Sequence, residues 1–294
     1  MGEQAGNRKK WEEVAEKWGK INPPYTPSIG ELKIYEKWME RIREKRKNPK
    51  MLVLGATPSL RELGYKLGFE VTCVDINPKM IEETDKLIQE RNTNERIIIG
   101  SWLTVEFPEE SFDIIVGDHS TNNVDFKEWP KLFSNIKRFL KKDGIVILGA
   151  TVFEENQSDR KSVTSPQMQF VDAEKLEWET LIERIKKNPE LLDNRLDRWN
   201  LRYGFHSHPE VRKEEDRTYN VDLYDAGIDR LYKQGKITAE ECNKLKFKIG
   251  KWAAVFLSKK EFEGFAKNYF NILEVDYDRS HEFFKYQQFF IMKK

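Results

Sequence analysis

Residues 51–80 read MLVLGATPSLRELGYKLGFEVTCVDINPKM, and this stretch decides the fold. It opens with the apolar run 51–54, which is typical of a buried strand. A short break leads into a helix with regularly spaced leucines, which Gly68 is suited to end. Residues 70–74 predict a second strand, and it stops at Asp75. The pattern is therefore strand–turn–helix–strand, with an acid at the end of the second strand.

The turn after the first strand and the acid after the second indicate a nucleoside-containing cofactor. A carboxylate at Asp75 can accept hydrogen bonds from both hydroxyls of a ribose. A dinucleotide needs the turn G-x-G-x-x-G, so that backbone N–H groups approach the pyrophosphate. Here only Gly55 is present, and Pro58 has no N–H to offer. S-adenosylmethionine carries no phosphate and fits this turn better, while dinucleotide binding stays as the alternative.

This stretch resembles motif I of the class I S-adenosylmethionine-dependent methyltransferases. Residues 54–61, LGATPSLR, look like a branch of that family whose loop reads L-G-x-T-P-x-L-R. The resemblance continues through SFD at 111–113 and FLKKDGIVIL at 139–148, so it covers about residues 49–152. It implies an α/β fold with a Rossmann-like sheet of seven mostly parallel strands, the last one antiparallel. It also implies S-adenosylmethionine as the cofactor.

The resemblance places the cofactor at the carboxyl ends of the strands. The residues implied for cofactor binding are Gly55, Ala56, Thr57, Asp75, Ile76, Ser101, Trp102 and Asp118. Structural roles are the alternatives at several of these positions. Asp75 could cap the helix that follows it, Trp102 could be a core aromatic, and Asp118 could satisfy the loop after the fourth strand.

Composition narrows the class of protein. The 294 residues carry 51 Lys and Arg against 50 Asp and Glu, a balance that argues against a nucleic-acid coat or a membrane-surface protein. Two cysteines, Cys73 and Cys242, suggest a reducing compartment without a disulfide framework. No apolar stretch reaches the length of a membrane span, and the N-terminus lacks an apolar signal core. We therefore expect a cytoplasmic protein.

Three segments are predicted along the chain: an N-terminal helical arm or lid at 1–48, a methyltransferase core at 49–152 and 256–294, and a helical substrate-cap insertion at 153–255. Capping boxes at Ser28-x-x-Glu31, Thr238-x-x-Glu241 and Ser258-x-x-Glu261 mark helix starts. Further helices are expected from Pro78 to about Arg91, over about 173–187, and from Asn188-Pro189. We expect the insertion to cover the carboxyl ends of the strands.

The tetrapeptide NPPY at 22–25 resembles a motif of methyltransferases that act on the amino groups of nucleic-acid bases. In those enzymes it follows the fourth strand, whereas here it precedes the first. A proline-stiffened arm that closes over the cofactor is the main interpretation, and the base-amine role is the alternative.

Histidines are the candidate catalytic residues. His119 directly follows the predicted fourth strand, where the methyl group must meet its acceptor, so it could act as a base or be a structural histidine. His206 and His208 lie in an irregular loop and could contact substrate, share a metal or simply be exposed. No third metal ligand is evident, so no metal site is predicted. Several aromatics of the insertion could line a substrate pocket or form its core: Trp178, Trp199, Tyr203, Tyr219, Tyr224 and Tyr232.

The sequence thus predicts a methyltransferase that acts on a small-molecule acceptor by in-line displacement, with no membrane partner and no nucleic-acid partner. A methyltransferase of RNA or protein is one alternative. It would show a basic face built from Arg195, Arg198, Arg202, Arg212 and Lys213, with salt-sensitive binding. A protein that binds the cofactor without turnover is the other alternative, because the glycine loop is altered. The sequence gives no oligomeric state.

Overall fold

The structure is a computed structural model that describes residues 11–12, 14–16, 18–20, 23–90, 94–153, 177–206, 208–213, 217–247 and 253–294. The chain forms two compact units. Unit 1 comprises Met1–Thr151, Glu263–Ser280 and Phe284–Lys294, and unit 2 comprises Val152–Phe262 and His281–Phe283.

Strands and helices are numbered along the whole chain. The strands are β1 (Lys50–Leu54), β2 (Glu70–Asp75), β3 (Arg96–Ile99), β4 (Phe112–Gly117), β5 (Leu140–Phe153), β6 (Arg212–Lys213), β7 (Thr218–Asn220), β8 (Ala253–Val255), β9 (Leu257–Ser258), β10 (Asn271–Asp276) and β11 (Gln287–Lys293). The α-helices are α1 (Ile29–Lys45), α2 (Pro58–Lys66), α3 (Pro78–Asp85), α4 (Trp129–Phe139), α5 (Trp178–Lys187), α6 (Arg195–Tyr203), α7 (Val221–Lys233), α8 (Ala239–Leu245) and α9 (Lys259–Ala266).

Unit 1 is built on a sheet with the strand order β10-β11-β5-β4-β1-β2-β3. The strands from β5 to β3 run parallel, and β11 is antiparallel to both β5 and β10. The predicted fold, a Rossmann-like sheet of seven mostly parallel strands with an antiparallel last strand, is confirmed. The chain reverses its direction of travel across the sheet between β1 and β4, and open sheets of this kind bind ligands at the carboxyl ends of the strands at that point.

Helix α1 packs on one face of this sheet. It begins with the predicted capping box, in which Ser28 and Glu31 exchange side chain-to-backbone hydrogen bonds. Tyr35 is fully buried, and its ring meets Phe289 of β11 edge to face, with the centroids 5.2 Å apart. This packing holds α1 against the sheet of unit 1.

Unit 2 contains α5 to α8 and a small antiparallel sheet of order β6-β7-β8. Five of the six aromatics considered as possible pocket residues are buried in it: Trp178, Trp199, Tyr203, Tyr219 and Tyr224. Tyr232 is 47% exposed. The core role is therefore confirmed for those five side chains.

Some predicted element bounds need correction. The helix from Pro78 ends at Asp85 and does not reach residue 91. Asn188-Pro189 starts only a 3₁₀ turn, Pro189–Leu192, and the α-helix begins later, where Asn194 caps it. The capping box at Thr238 is confirmed. Residues 173–176 of the predicted helix, and Asn22 of NPPY, lie outside the described residues. Within the described ranges, no helix is long and apolar enough to cross a membrane.

Candidate cofactor and active site

The turn after β1 depends on Gly55. Its φ of +110° lies in the region that L side chains rarely adopt, so glycine is required for the backbone to turn here. The Gly55 N–H donates to the carbonyl of Val74 at 2.9 Å, which joins the turn to β2. Thr57 then precedes α2 as its N-cap, although its hydroxyl makes no capping hydrogen bond.

Asp75 ends β2 and ties two loops together. Its Oδ2 accepts from the N–H of Ala56 at 3.0 Å, and its Oδ1 accepts from the N–H of Asn77 at 2.8 Å. Burial raises the pKa of Asp75, and these two hydrogen bonds oppose the rise. Each oxygen keeps a free lone pair, so the carboxylate can still accept from a pair of hydroxyls.

The alternative role of Asp75, as the cap of the next helix, is wrong. Asn77 occupies the N-cap of α3, and its side chain accepts from the N–H of Met80 at 3.2 Å. Asp75 is therefore available for another function at the strand end.

Ile76 and Trp102 bring apolar surface to the same strand ends. The Trp102 Nε1–H donates to the carbonyl of Val74 at 2.8 Å, so the ring is held against the end of β2. A methyl group placed on Gly55 would lie 3.7 Å from the Trp102 ring. Ile76 is 38% exposed beside the Asp75 carboxylate. Ser101 accepts from the N–H of Leu103 at 3.2 Å, which shapes the loop after β3.

Asp118 follows β4 with its side chain buried to 6% exposure. Its Oδ1 has no hydrogen-bond partner in the described part of the chain, and the nearest cationic candidate, Nε2 of His119, is 3.6 Å away. Burial raises the pKa of the Asp118 carboxyl to about 7. In the alternative role, this carboxylate would accept hydrogen bonds from the loop after β4. The unpaired Oδ1 gives that role no support.

His119 has a left-handed backbone with φ of +50°, a conformation that is unusual for a residue other than glycine and is often found at functional sites. Its Nδ1 lies 3.2 Å from the hydroxyl of Thr151. Burial lowers the pKa of His119 to about 4, so the ring is neutral at pH 7. The role of His119 as a base stays a prediction.

His206 and His208 are both buried in unit 2, so the alternative of an exposed loop is wrong. The Nδ1–H of His206 donates to the carbonyl of Tyr203 at 2.7 Å, and its ring lies 4.2 Å from that of Phe153. Burial lowers the pKa of His206 to about 4. His208 accepts from the N–H of Glu210 at 3.2 Å, which leaves its Nε2 facing Glu177 at 3.3 Å.

The two histidines thus have separate partners. Among the described residues, no group of three or more His, Cys, Asp or Glu side chains could hold a metal ion.

Glu31 is a site candidate that sequence reasoning missed. It is 1% exposed, and its Oε2 accepts from the N–H of Ser28 at 2.7 Å. Its Oε1 has no partner in the described residues. Burial, together with the nearby Asp118 carboxylate, raises the pKa of Glu31 to about 8. The capping box was a signal for a helix start, and nothing in it indicated burial beside Asp118.

The residues at the strand ends lie in a range that matches a known protein family. Residues 54–148, which hold Gly55, Asp75, Trp102 and Asp118, match the model of a methyltransferase domain. The predicted enzyme class, a methyltransferase, is confirmed for this part of the chain. S-adenosylmethionine is the cofactor predicted for it. The matched range ends before unit 2 begins.

Solved structures show the same fold. The PH0226 protein of Pyrococcus horikoshii is 18% identical, with 94% of this chain and 98% of that chain covered and a TM-score of 0.52. A proposed Zn-dependent alcohol dehydrogenase from Rhodobacter sphaeroides is 13% identical, with 98% of each chain covered and a TM-score of 0.55. At these identities the likeness shows the fold alone.

A weaker likeness is to the N-methyltransferase NodS of Bradyrhizobium japonicum in complex with S-adenosylhomocysteine, 11% identical, with 96% and 97% of the chains covered and a TM-score of 0.48. It supports no inference. None of the curated proteins compared with this sequence matches it.

Proposed function

We propose that the protein transfers the methyl group of S-adenosylmethionine to a small-molecule acceptor. The observation that carries this proposal is the geometry of Asp75. Its carboxylate is fixed by two backbone N–H groups at the end of β2, in the part of the chain that matches the methyltransferase domain. A carboxylate fixed in this way can bind the ribose hydroxyls of the cofactor without having to reorganise.

The other strand-end residues fit the rest of the cofactor. Gly55 lets the backbone approach the cofactor closely, while Ile76 and Trp102 offer apolar surface for the adenine. When bound, the cofactor supplies a methyl group on a positively charged sulfur, which is already reactive. The residues of the protein need only align the acceptor with this methyl group and exclude water.

Buried arginines support a small acceptor over RNA or an acidic protein. The Arg202 guanidinium donates to the carbonyls of Leu245, Lys244 and Lys246 at 2.8, 3.0 and 2.7 Å. Arg212 is 6% exposed. Two members of the expected basic face are therefore inside unit 2, where they cannot contact phosphates.

Calorimetry with S-adenosylhomocysteine tests the cofactor site. Asp75→Ala should weaken binding about a hundredfold, since a lost charge-assisted pair of hydrogen bonds costs about 2–3 kcal/mol. Asp143→Ala is the matched control, because its side chain is 86% exposed. Equal affinity of the two variants, or tight binding of NAD by the wild type, would contradict the proposal.

Transfer of a labelled methyl group tests the acceptor class. Cell extract is separated into low-mass metabolites, RNA and protein, and each fraction is incubated with the enzyme and labelled S-adenosylmethionine. We expect label only in the low-mass fraction. Label in RNA or protein would show that the protein is a methyltransferase of RNA or protein. Binding of the cofactor without transfer to any fraction would show that the protein binds the cofactor without turnover.

A further inference from the structure

Among the buried acceptor atoms of unit 1 that have no hydrogen-bond partner in the described residues are Oε1 of Glu31, Oδ1 of Asp118 and Oε1 of Gln287. Glu31 and Gln287 are 1% and 2% exposed, and the Asp118 side chain is 6% exposed. Leaving a buried polar atom unpaired costs free energy, and native proteins rarely do so without a reason such as a ligand.

Contacts around Tyr35 bring the two carboxyl groups to the same place. Glu31 lies one helical turn before Tyr35 on α1, so both side chains are on the same face of that helix. The Tyr35 hydroxyl donates to the carbonyl of Gly117 at 3.0 Å, directly before Asp118. Glu31 and Asp118 both raise the pKa of Tyr35, after burial itself, as negative charges close to the ring would.

Gln287 lies on the same face of the sheet. It pairs in register with Thr151 of β5 and precedes Phe289 by two residues, so its side chain points to the side where Phe289 meets Tyr35. Its Nε2 donates to the carbonyl of Pro24 at 3.2 Å. That bond uses one of the two N–H donors of the amide, and the amide oxygen remains an acceptor.

The chemistry of the three atoms points to one kind of ligand. All are acceptors, and two belong to carboxyl groups whose pKa values are raised by burial, that of Glu31 to about 8 and that of Asp118 to about 7. The neighbouring titratable groups are the Asp278 carboxylate, which accepts from the Ser28 hydroxyl, and the His119 ring, which is neutral at pH 7. An ammonium group has three N–H donors, a positive charge and no acceptor, so it complements all three atoms.

We propose that Glu31 and Asp118, with Gln287 as a third acceptor, bind the ammonium group of a small amine and that this amine is the methyl acceptor. This inference rests on the proposed function, and it narrows the acceptor to organic amines. The ammonium group of S-adenosylmethionine itself has the same chemistry and is the other possible source. The acceptor is favoured because Gly55, Asp75 and Trp102 follow β1, β2 and β3, whereas Gln287 lies on β11, on the other side of β5 from those strands.

The reaction then needs one proton transfer before methyl transfer. The bound ammonium R–NH₃⁺ gives a proton to the Asp118 carboxylate, which the raised pKa of that group favours. The lone pair of R–NH₂ forms the new bond to the methyl carbon as the carbon–sulfur bond breaks, and the bonding electrons stay on sulfur. The products are R–NH₂⁺–CH₃ and the neutral thioether, and Asp118 returns its proton to solvent.

Binding of a simple amine to the enzyme saturated with S-adenosylhomocysteine tests this site. The probes are n-propylammonium and 1-propanol, which have similar shape but differ in charge, and binding is followed by NMR at pH 8. We expect n-propylammonium to bind at least tenfold more tightly than 1-propanol. Glu31→Gln and Asp118→Asn should each remove most of this preference, while Glu40→Gln, on the exposed side of α1, should keep it.

Glu31→Gln is suited to the test because its amide oxygen can still accept from the N–H of Ser28 and preserve the helix cap. If either carboxyl variant fails to fold, Gln287→Met replaces it, with a smaller loss expected.

Three results would overturn the proposal. The first is equal binding of the two probes. The second is a tenfold loss of S-adenosylhomocysteine affinity in Glu31→Gln with n-propylammonium binding unchanged, which would assign the site to the ammonium of the cofactor. The third is a wild type that does not bind S-adenosylhomocysteine. That result contradicts the proposed function itself, whereas the first two leave it intact.

Discussion

The guanidinium of Arg61 forms a double ion pair with the carboxylate of Glu95, with Nε–Oε1 and Nη2–Oε2 distances of 2.7 Å each. The same Nη2 also lies 2.7 Å from Oδ1 of Asp85. Arg61 is fully buried. The arginine that ends LGATPSLR therefore joins α2 to the end of α3 and to the segment that enters β3.

Arg61→Met should destabilise the protein strongly. It would leave the carboxylates of Glu95 and Asp85 without their partner, and breaking a buried ion pair in this way costs about 3–5 kcal/mol. Urea denaturation measures the change in the free energy of unfolding. Lys86→Met is the control, because Lys86 makes only exposed ion pairs and its loss should change little. Equal stability of the two variants would show that the Arg61 network contributes nothing.

Gly55→Ala should weaken both folding and cofactor binding. An alanine at φ of +110° strains the turn, and the left-handed region costs about 1–2 kcal/mol for a residue with a Cβ. Gly68→Ala is a matched control, since Gly68 also has a positive φ, of +75°, but has nothing within 4 Å of the added methyl group. We expect similar losses of stability in both variants and a loss of S-adenosylhomocysteine affinity only in Gly55→Ala. If Gly68→Ala lost affinity equally, the turn would have no special role.

The contribution of Glu31 to the stability of the free protein should fall as the pH rises from about 4.5 to about 8. Because the pKa of Glu31 is raised from 4.5 to about 8 in the folded state, folding favours its protonated form. This contribution is fully present below pH 4.5 and is lost as the pH rises through 8. Asp118 acts in the same direction with its pKa of about 7.

Glu31→Gln should remove much of this pH dependence. Relative to the wild type, it should gain stability on the order of 3 kcal/mol between pH 5 and pH 8.5. Urea unfolding at both pH values measures the gain, with Glu40→Gln as the control. If the free energy of unfolding changed equally with pH in the wild type and in Glu31→Gln, the pKa of Glu31 would not be raised in the folded state.

The His119 ring should stay neutral through the physiological range. Burial lowers its pKa to about 4, so its NMR ring signals should not titrate between pH 6 and pH 8. His119→Asn assigns the signal by removing it. A titration of this signal near pH 6.5 would contradict the burial of the ring. It would also restore the idea of a base that works near neutrality.

Much of the fold could be predicted because the strands of the domain carry local signals. Apolar runs, the glycine turn and the acid after β2 are adjacent in sequence, so a short window contains the whole pattern. Element ends were less predictable. The helix after Pro78 stops at Asp85, which pairs with Arg61 from another helix, and no local pattern records that contact. Asn188-Pro189 has the residues of a helix start, yet only a 3₁₀ turn follows.

The candidate site was only partly predictable, because contacts between residues distant in sequence leave no local pattern. Gly55, Asp75 and Asp118 are found at strand ends, where the order of elements places them. The environment of each side chain depends on distant residues. The His206 ring is buried against Phe153, and Glu31 is buried near Tyr35. The sequence around His206 or Glu31 does not indicate this burial. Burial then sets the pKa values, so the ionisation of His119 and Glu31 could not be predicted from residue type.

The pairing of β5 has a consequence for synthesis of the protein on the ribosome. β5 pairs with β4 on one side and with β11 on the other, and residues 154–286 are translated between β5 and β11. Until β11 emerges, one edge of β5 presents unpaired N–H and C=O groups and an apolar surface to other nascent chains. A ribosome stalled after unit 2 would therefore hold a chain that is prone to aggregate, and this interval is when the protein most needs a chaperone.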